Sequence, residues 1–94
     1  MWNNIVINGN QIEVITEKSV LIKMPKASGY EGYKFWHTIK LVRRKGGMYT
    51  FSFNEEFVFE LKKNGKGKWN SRSIISEMSI DAEEMIKAFD NQNY

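Results

Sequence analysis

Apolar and polar residues alternate most cleanly in the second half of the chain. Tyr49, Phe51 and Phe53 alternate with Met48, Thr50 and Ser52, and after the turn "NEE" Phe57, Phe59 and Leu61 alternate with Val58, Glu60 and Lys62. A period of two puts each set on its own side of an extended backbone, so both runs predict strands with one buried face. Near the start, "NGN" (Asn8 to Asn10) lies between Ile5-Val6-Ile7 and a run from Gln11 to Thr16 in which Ile12 and Val14 alternate with polar neighbours. Asn-Gly between two such runs predicts a hairpin, because the tight hairpin turn needs positive φ at both central positions. Val20 to Met24 reads as a further strand ended by Pro25, the only proline, and Ala27 to Gly32 reads as a loop.

The stretch "GYKFWHTIKLVRRKGG", Gly32 to Gly47, allows two readings. As a helix it places Phe35, Ile39 and Val42 on one side. As a strand it places Phe35, Ile39 and Leu41 inward with His37 and Arg43 in the same row, and Trp36, Thr38, Lys40, Val42 and Arg44 on the other face. The β-branched Thr38, Ile39 and Val42 favour the strand. "KGG" then turns the chain into the Met48 run. After the glycine-bearing "NGKGK", Arg72 to Met78 reads as a last strand.

The C-terminal end changes period. In "SIDAEEMIKAF", Asp81 has the position of an N-cap with Glu84 as its capping-box partner, and Ile80 and Met85 have hydrophobic-staple spacing. Met85, Ile86 and Phe89 form an apolar stripe on a helix expected over Ala82 to Phe89. Residues 1–94 therefore read as one α+β domain. It is a mostly antiparallel β-sheet of about five or six strands, with scope to curl towards a barrel, and one C-terminal helix. No repeat, low-complexity segment or linker interrupts it.

Composition adds boundaries. The 94 residues contain 13 aromatic rings, sufficient for a compact core, and no cysteine, which excludes disulfides and thiolate metal sites. No apolar run has the length of a membrane span, and the first residues lack the basic-then-apolar order of a signal peptide, so a cytoplasmic protein is expected. Net charge is only +3, but it is unevenly spread. From Lys34 to Arg72 ten basic residues stand against three acids, a net of +7, while the two flanks carry −4. A cationic middle attracts polyanions, although clustered charge also simply solubilises a surface.

Catalytic chemistry finds little support. His37 is the only histidine, no G-x-S-x-G turn occurs, and Asp81, Glu83 and Glu84 are explained by a helix N-terminus. A histidine inside a strand, between Trp36 and Thr38, is more often a packed structural residue. A non-catalytic protein without a metal or other cofactor is expected.

Binding is better supported. "KKNGKGKWN" is no P-loop, but it places Lys62, Lys63, Lys66 and Lys68 around a flexible turn ending on Trp69. Lysines there suit phosphate contact, and a tryptophan stacked on an unpaired base contributes ~1–3 kcal/mol. The plainer reading folds Trp69 over the sheet rim and leaves the lysines as solvated charges. Lys40, Arg43, Arg44, Lys45 and Arg72 extend the candidate nucleic-acid surface. Trp36 is surplus to a one-sided core and, with His37 and Trp69, is a candidate contact for a protein partner, since tryptophan is enriched among interface hot spots.

With "GYKFWHTIKLVRR", the paired aromatic strands and "KKNGKGKWN", the chain resembles the small accessory protein of the primase–polymerase module of staphylococcal cassette chromosome elements, over most of residues 20 to 89. The resemblance implies that it binds a larger A-family DNA polymerase homologue and supports de novo primer synthesis, the partner supplying the nucleotidyl transfer. Single-stranded DNA is the expected second ligand. The alternative is a mobile-element adaptor or inhibitor that contacts protein alone; its basic middle does not suit a mimic of DNA.

Overall fold

The computed structural model describes residues 2–25, 29–64 and 74–90. Its strands are β1 (Trp2–Asn8), β2 (Ile12–Ile15), β3 (Ser19–Lys23), β4 (Tyr33–Thr38), β5 (Val42–Lys45), β6 (Met48–Asn54), β7 (Val58–Asn64) and β8 (Ile74–Asp81), followed by helix α1 (Ala82–Asp90). They form two antiparallel sheets, ordered β1-β6-β5 and β2-β3-β4-β7-β8. The sheets do not close into a barrel. The fold is the expected α+β arrangement with one C-terminal helix; it has eight strands rather than five or six, and the run within Gly32 to Gly47 that read as one strand is divided into β4 and β5.

Two 3-10 turns carry the chain from one sheet to the other. Gly9–Gln11 links β1, which pairs with β6, to β2, which pairs with β3. The hairpin expected at "NGN" is therefore not formed. Asn8 has φ −78°, and no described residue other than glycine has positive φ. The Asn8 N–H instead donates to Gln11 Oε1 at 3.2 Å, closing the turn locally.

The second turn, Ile39–Leu41, links β4 to β5. It is anchored by the Ile39 N–H donating to the Lys18 carbonyl at 2.9 Å. Three residues in a turn shift the alternation by one place relative to a continuous strand. Val42 thus packs against the core and Arg43 is exposed, the reverse of the single-strand expectation. By contrast, the "KGG" turn is a true hairpin between β5 and β6, with Gly46 at φ +63°.

The rings join the layers. Phe51 and Phe53 come from the three-stranded sheet, Phe35 and Phe59 from the five-stranded sheet, and Phe89 from α1; all are buried. Phe51 lies 5.5 Å from Phe35, 5.7 Å from Phe53 and 5.3 Å from Phe89, centroid to centroid. Such tilted, stacked and edge-on contacts contribute beyond the apolar area they remove from water. The helix is fixed at its start by Asp81 Oδ1, which accepts the Glu84 N–H at 2.9 Å. The Glu84 carboxylate, expected to complete a capping box, accepts the Tyr30 hydroxyl at 3.3 Å and ties the β3–β4 connection to α1. Met85, Ala88 and Phe89 form its buried face.

Because Phe51 touches rings from every layer, Phe51→Ala is expected to lower the free energy of unfolding by about 3–5 kcal/mol. Urea denaturation followed by far-UV circular dichroism measures this; a loss below 1 kcal/mol would show that the layers do not depend on it.

Candidate functional site

Two surfaces stand out, and both lie on the β4–turn–β5 segment. The first is a cleft between β4 and β7. These strands pair only at Tyr33–Lys63 and Lys34–Lys62, after which the ladder stops. β4 is heading for its turn into the other sheet, while β7 has just arrived from that sheet through the Asn54–Phe57 turn. The opening has a volume of about 600 Å³, and its walls include Trp36, Thr38, Val58, Glu60 and Lys62. Phe57, Phe59 and His37 also line it.

Trp36 is 51% exposed and Val58 66% exposed, so the cleft opens onto an apolar surface. Leu21, directly across the β3–β4 ladder from Trp36, and Val14, across from Leu21, extend that surface over the outer face of the five-stranded sheet. A contiguous exposed apolar strip of this kind marks contact surfaces. The charges around it are largely matched. Lys34 forms an ion pair with Glu13 at 2.5 Å, and Lys62 stands opposite Glu77 in the β7–β8 register. Glu60 stands opposite Ser79 and has no such counterpart.

His37 is only 5% exposed and packs among Phe51, Phe57 and Phe59 at centroid distances of 5.5, 5.6 and 5.8 Å. Its Nε2–H donates to the Ser52 carbonyl at 2.7 Å, joining β4 to β6 across the two sheets. Burial holds the imidazole below its usual pKa, partly opposed by that bond, so the ring is neutral near pH 7. It is a packed, hydrogen-bonded residue, and the Trp36 side chain forms the accessible part of this pair.

The second surface is the edge of the three-stranded sheet. β1, β5 and β6 contain no acidic residue. Arg43, Arg44 and Lys45 line exposed edge strand β5, with exposed Lys40 on the preceding turn. Among the described residues no carboxylate pairs with any of these four; the ion pairs are Lys34–Glu13 and Lys87–Glu83. The Arg44 guanidinium lies 5.9 Å from the centre of the Tyr49 ring, a cation–π distance.

The expected site residues thus divide. Lys40, Arg43, Arg44 and Lys45 stay together. Lys62 belongs to the cleft with Trp36 and His37, and Lys63 lies on the neighbouring ladder with its ammonium 5.8 Å from the Tyr33 ring centre. Lys66, Lys68, Trp69 and Arg72 lie outside the described residues. Thr38, Val58 and Glu60 enter the cleft unforeseen, because only the β4–β7 register brings them opposite one another. Among the described residues no group of three or more His, Asp or Glu side chains could hold a metal, and no helix is long and apolar enough to cross a membrane. No protein-family model, curated protein or solved structure matches the chain.

The lowered pKa of His37 has a definite sign for stability. As pH falls through about 6.5, the unfolded chain takes up the proton before the folded one, so stability is complete above that value and declines below it. The melting temperature is expected to fall from pH 7.5 to 5.5, and His37→Gln, less stable throughout, is expected to be flatter over that window. Equal slopes in the two proteins would remove His37 as the cause.

Proposed function

We propose that the chain is a non-catalytic binding protein with two contact surfaces, acting beside a larger DNA polymerase-like protein in the replication module of a mobile element. The β5 edge takes the phosphate backbone of single-stranded DNA, and the Trp36 cleft takes the protein partner. The observation that carries the reading is the acid-free sheet whose only charges are Arg43, Arg44 and Lys45, displayed together on its exposed edge. Phosphates approaching this edge meet no repelling carboxylate on the sheet, and each neutralised phosphate releases counterions. Tyr49, beside Arg44, is suited to contact with an unpaired base.

The cleft favours protein over polyanion. Its lysines already face carboxylates, whereas Trp36, Val58 and Leu21 offer an apolar anchor. The resemblance to the accessory protein of a primase–polymerase module supports the same division, with nucleotidyl transfer left to the partner.

Fluorescence anisotropy with a labelled oligothymidylate, repeated across a salt series, tests the DNA surface. Binding should weaken steeply with salt, and the triple change Arg43→Ala, Arg44→Ala, Lys45→Ala should flatten the log–log slope by about 2, near 0.7 for each cation lost. No binding at low salt, or an unchanged slope, rejects it. For the protein surface, Trp36→Ala should reduce capture of a co-expressed A-family polymerase homologue at least tenfold, as expected for an interface hot spot. Undiminished capture rejects that half.

A further inference from the structure

We infer that the gap between β4 and β7 is a strand-acceptor site, which an extended segment of a protein partner enters by pairing its backbone with both strands. This rests on the reading of the Trp36 cleft as the protein-facing surface, and it specifies the form the partner takes there.

The inference begins with the direction of backbone groups. The Tyr33 carbonyl accepts the Met24 N–H at 2.9 Å, on the β3 side of β4. In an antiparallel strand the N–H and C=O of one residue point the same way, and those of the next residue point oppositely. Lys34, Trp36 and Thr38 therefore direct theirs towards β7. Lys34 meets Lys62 there, which places the groups of Glu60 and Val58 towards β4 by the same alternation. Since the ladder ends at Lys34–Lys62, the N–H and C=O of Trp36, Val58 and Glu60 and the N–H of Thr38 face the cleft without a ladder partner, while the Thr38 carbonyl, at the N-cap of the 3-10 turn, serves as that turn's first acceptor. All four residues line the opening, and all four are exposed.

Two facing rows of alternating donors and acceptors match a peptide backbone. Bases and phosphates lack that repeat. Addition of a strand to free ladder groups is an established mode of peptide recognition, in which main-chain bonds supply affinity and alternate side chains supply specificity.

The side chains narrow the occupant. Continuing the Lys34–Lys62 register places Trp36 opposite Glu60 and Thr38 opposite Val58, all directed outward. A residue of the inserted strand lying between Trp36 and Glu60 has an indole on one side and a carboxylate without a cross-strand counterion on the other. Lysine or arginine fits both, by cation–π contact and ion pairing. Two residues along, the position between Thr38 and Val58 suits an aliphatic side chain. The occupant is thus an extended segment with a basic and an aliphatic residue two positions apart.

Thr38 supplies a specific test. Its φ of −63° is the angle proline imposes, its N–H points into the gap, and His37 before it is extended, as a residue preceding proline prefers. Thr38→Pro removes one cleft donor while leaving the β3–β4 ladder intact; Thr38→Val keeps the donor and removes only the hydroxyl.

The probe is a displayed library of random twelve-residue peptides selected against the whole chain. Enriched peptides should share the basic–x–aliphatic spacing and slow amide hydrogen exchange at Trp36, Thr38, Val58 and Glu60, which exchange rapidly in the free protein. Thr38→Pro and Glu60→Gln should each weaken peptide binding about five- to tenfold, as for loss of one hydrogen bond or one charged partner, with Thr38→Val near wild type. Retained oligothymidylate binding shows that the proline variant is folded; if it is unfolded, Glu60→Gln and the exchange pattern decide. The inference is overturned if no peptide is enriched, if these amides are already protected in the free protein, if oligothymidylate or a second copy of the chain protects them, or if neither variant weakens binding. If Trp36→Ala abolishes polymerase capture while Thr38→Pro leaves it intact, the partner docks by side chains alone: the proposed function survives and the inserted strand does not.

Discussion

A small number of backbone segments has to serve two sheets at once, and the aromatic cluster between them makes this possible. β1 continues into β2, and β4 into β5, by turning a corner through one 3-10 turn each. Neither sheet is closed, so the corners depend on side-chain packing between the sheets together with local bonds such as that from the Ile39 N–H to the Lys18 carbonyl. Rings from both sheets and from α1 meet around Phe51, and His37 adds a hydrogen bond from β4 to the Ser52 carbonyl on β6. A directional bond among rings restricts how one sheet can slide on the other, which packing area alone does not achieve. Burial disfavours the charged imidazole, partly opposed by the bond to Ser52, so the sheet-to-sheet attachment favours the neutral ring.

The corners also produce the cleft. Once β4 bends towards β5, it cannot follow β7, which runs with β8 over its full length. The space left between them is floored by Phe57, Phe59 and His37 and rimmed by the exposed residues Trp36, Thr38, Val58 and Glu60. The same bend assigns opposite duties to neighbouring stretches of one segment. Before the turn, Trp36 stands beside charges that are matched; after it, Arg43, Arg44 and Lys45 stand on a sheet with no acid. A basic run that reads as one patch along the chain is divided by the fold into an apolar cleft and a cationic edge.

Much of the fold was legible because period-two alternation reports burial directly. Phe51 and Phe53, and Phe59 and Leu61, are buried where that pattern places them, and the Asp81 cap lies where the capping spacing places it. The corners were not legible. A 3-10 turn of three residues looks in sequence like a continuing strand, and it reverses the alternation beyond it, which is why Val42 and Arg43 exchanged faces. "NGN" misled for a related reason: a hairpin and a corner both need a sharp turn, and which one forms is decided by distant partners, β6 for β1 and β3 for β2. The cleft depends on the register of β4 against β7, segments separated by some twenty residues, and nothing local in either strand encodes where their pairing stops. Trp36 was identifiable as surplus to the core, but Thr38, Val58 and Glu60 carry no mark of their own.

That an unfilled ladder persists is physically reasonable. A backbone hydrogen bond exchanged for bonds to water contributes only about 0.5–1.5 kcal/mol net, so closing the gap would gain a few kcal/mol at most. Against this stand the packing of Phe57, Phe59 and His37 beneath the opening and the turn at Ile39–Leu41, anchored to the Lys18 carbonyl. Closing β4 onto β7 would pull that turn off Lys18 or crowd the rings, and lost ring contacts alone are worth about 0.5–1.5 kcal/mol per pair. The four residues are exposed, so the open ladder lies in parts of the chain within reach of water, where an unmade backbone bond costs little. The same arithmetic bears on any strand that enters: it gains little from each main-chain bond. Discrimination among partners must therefore come from what touches Trp36, Glu60 and Val58.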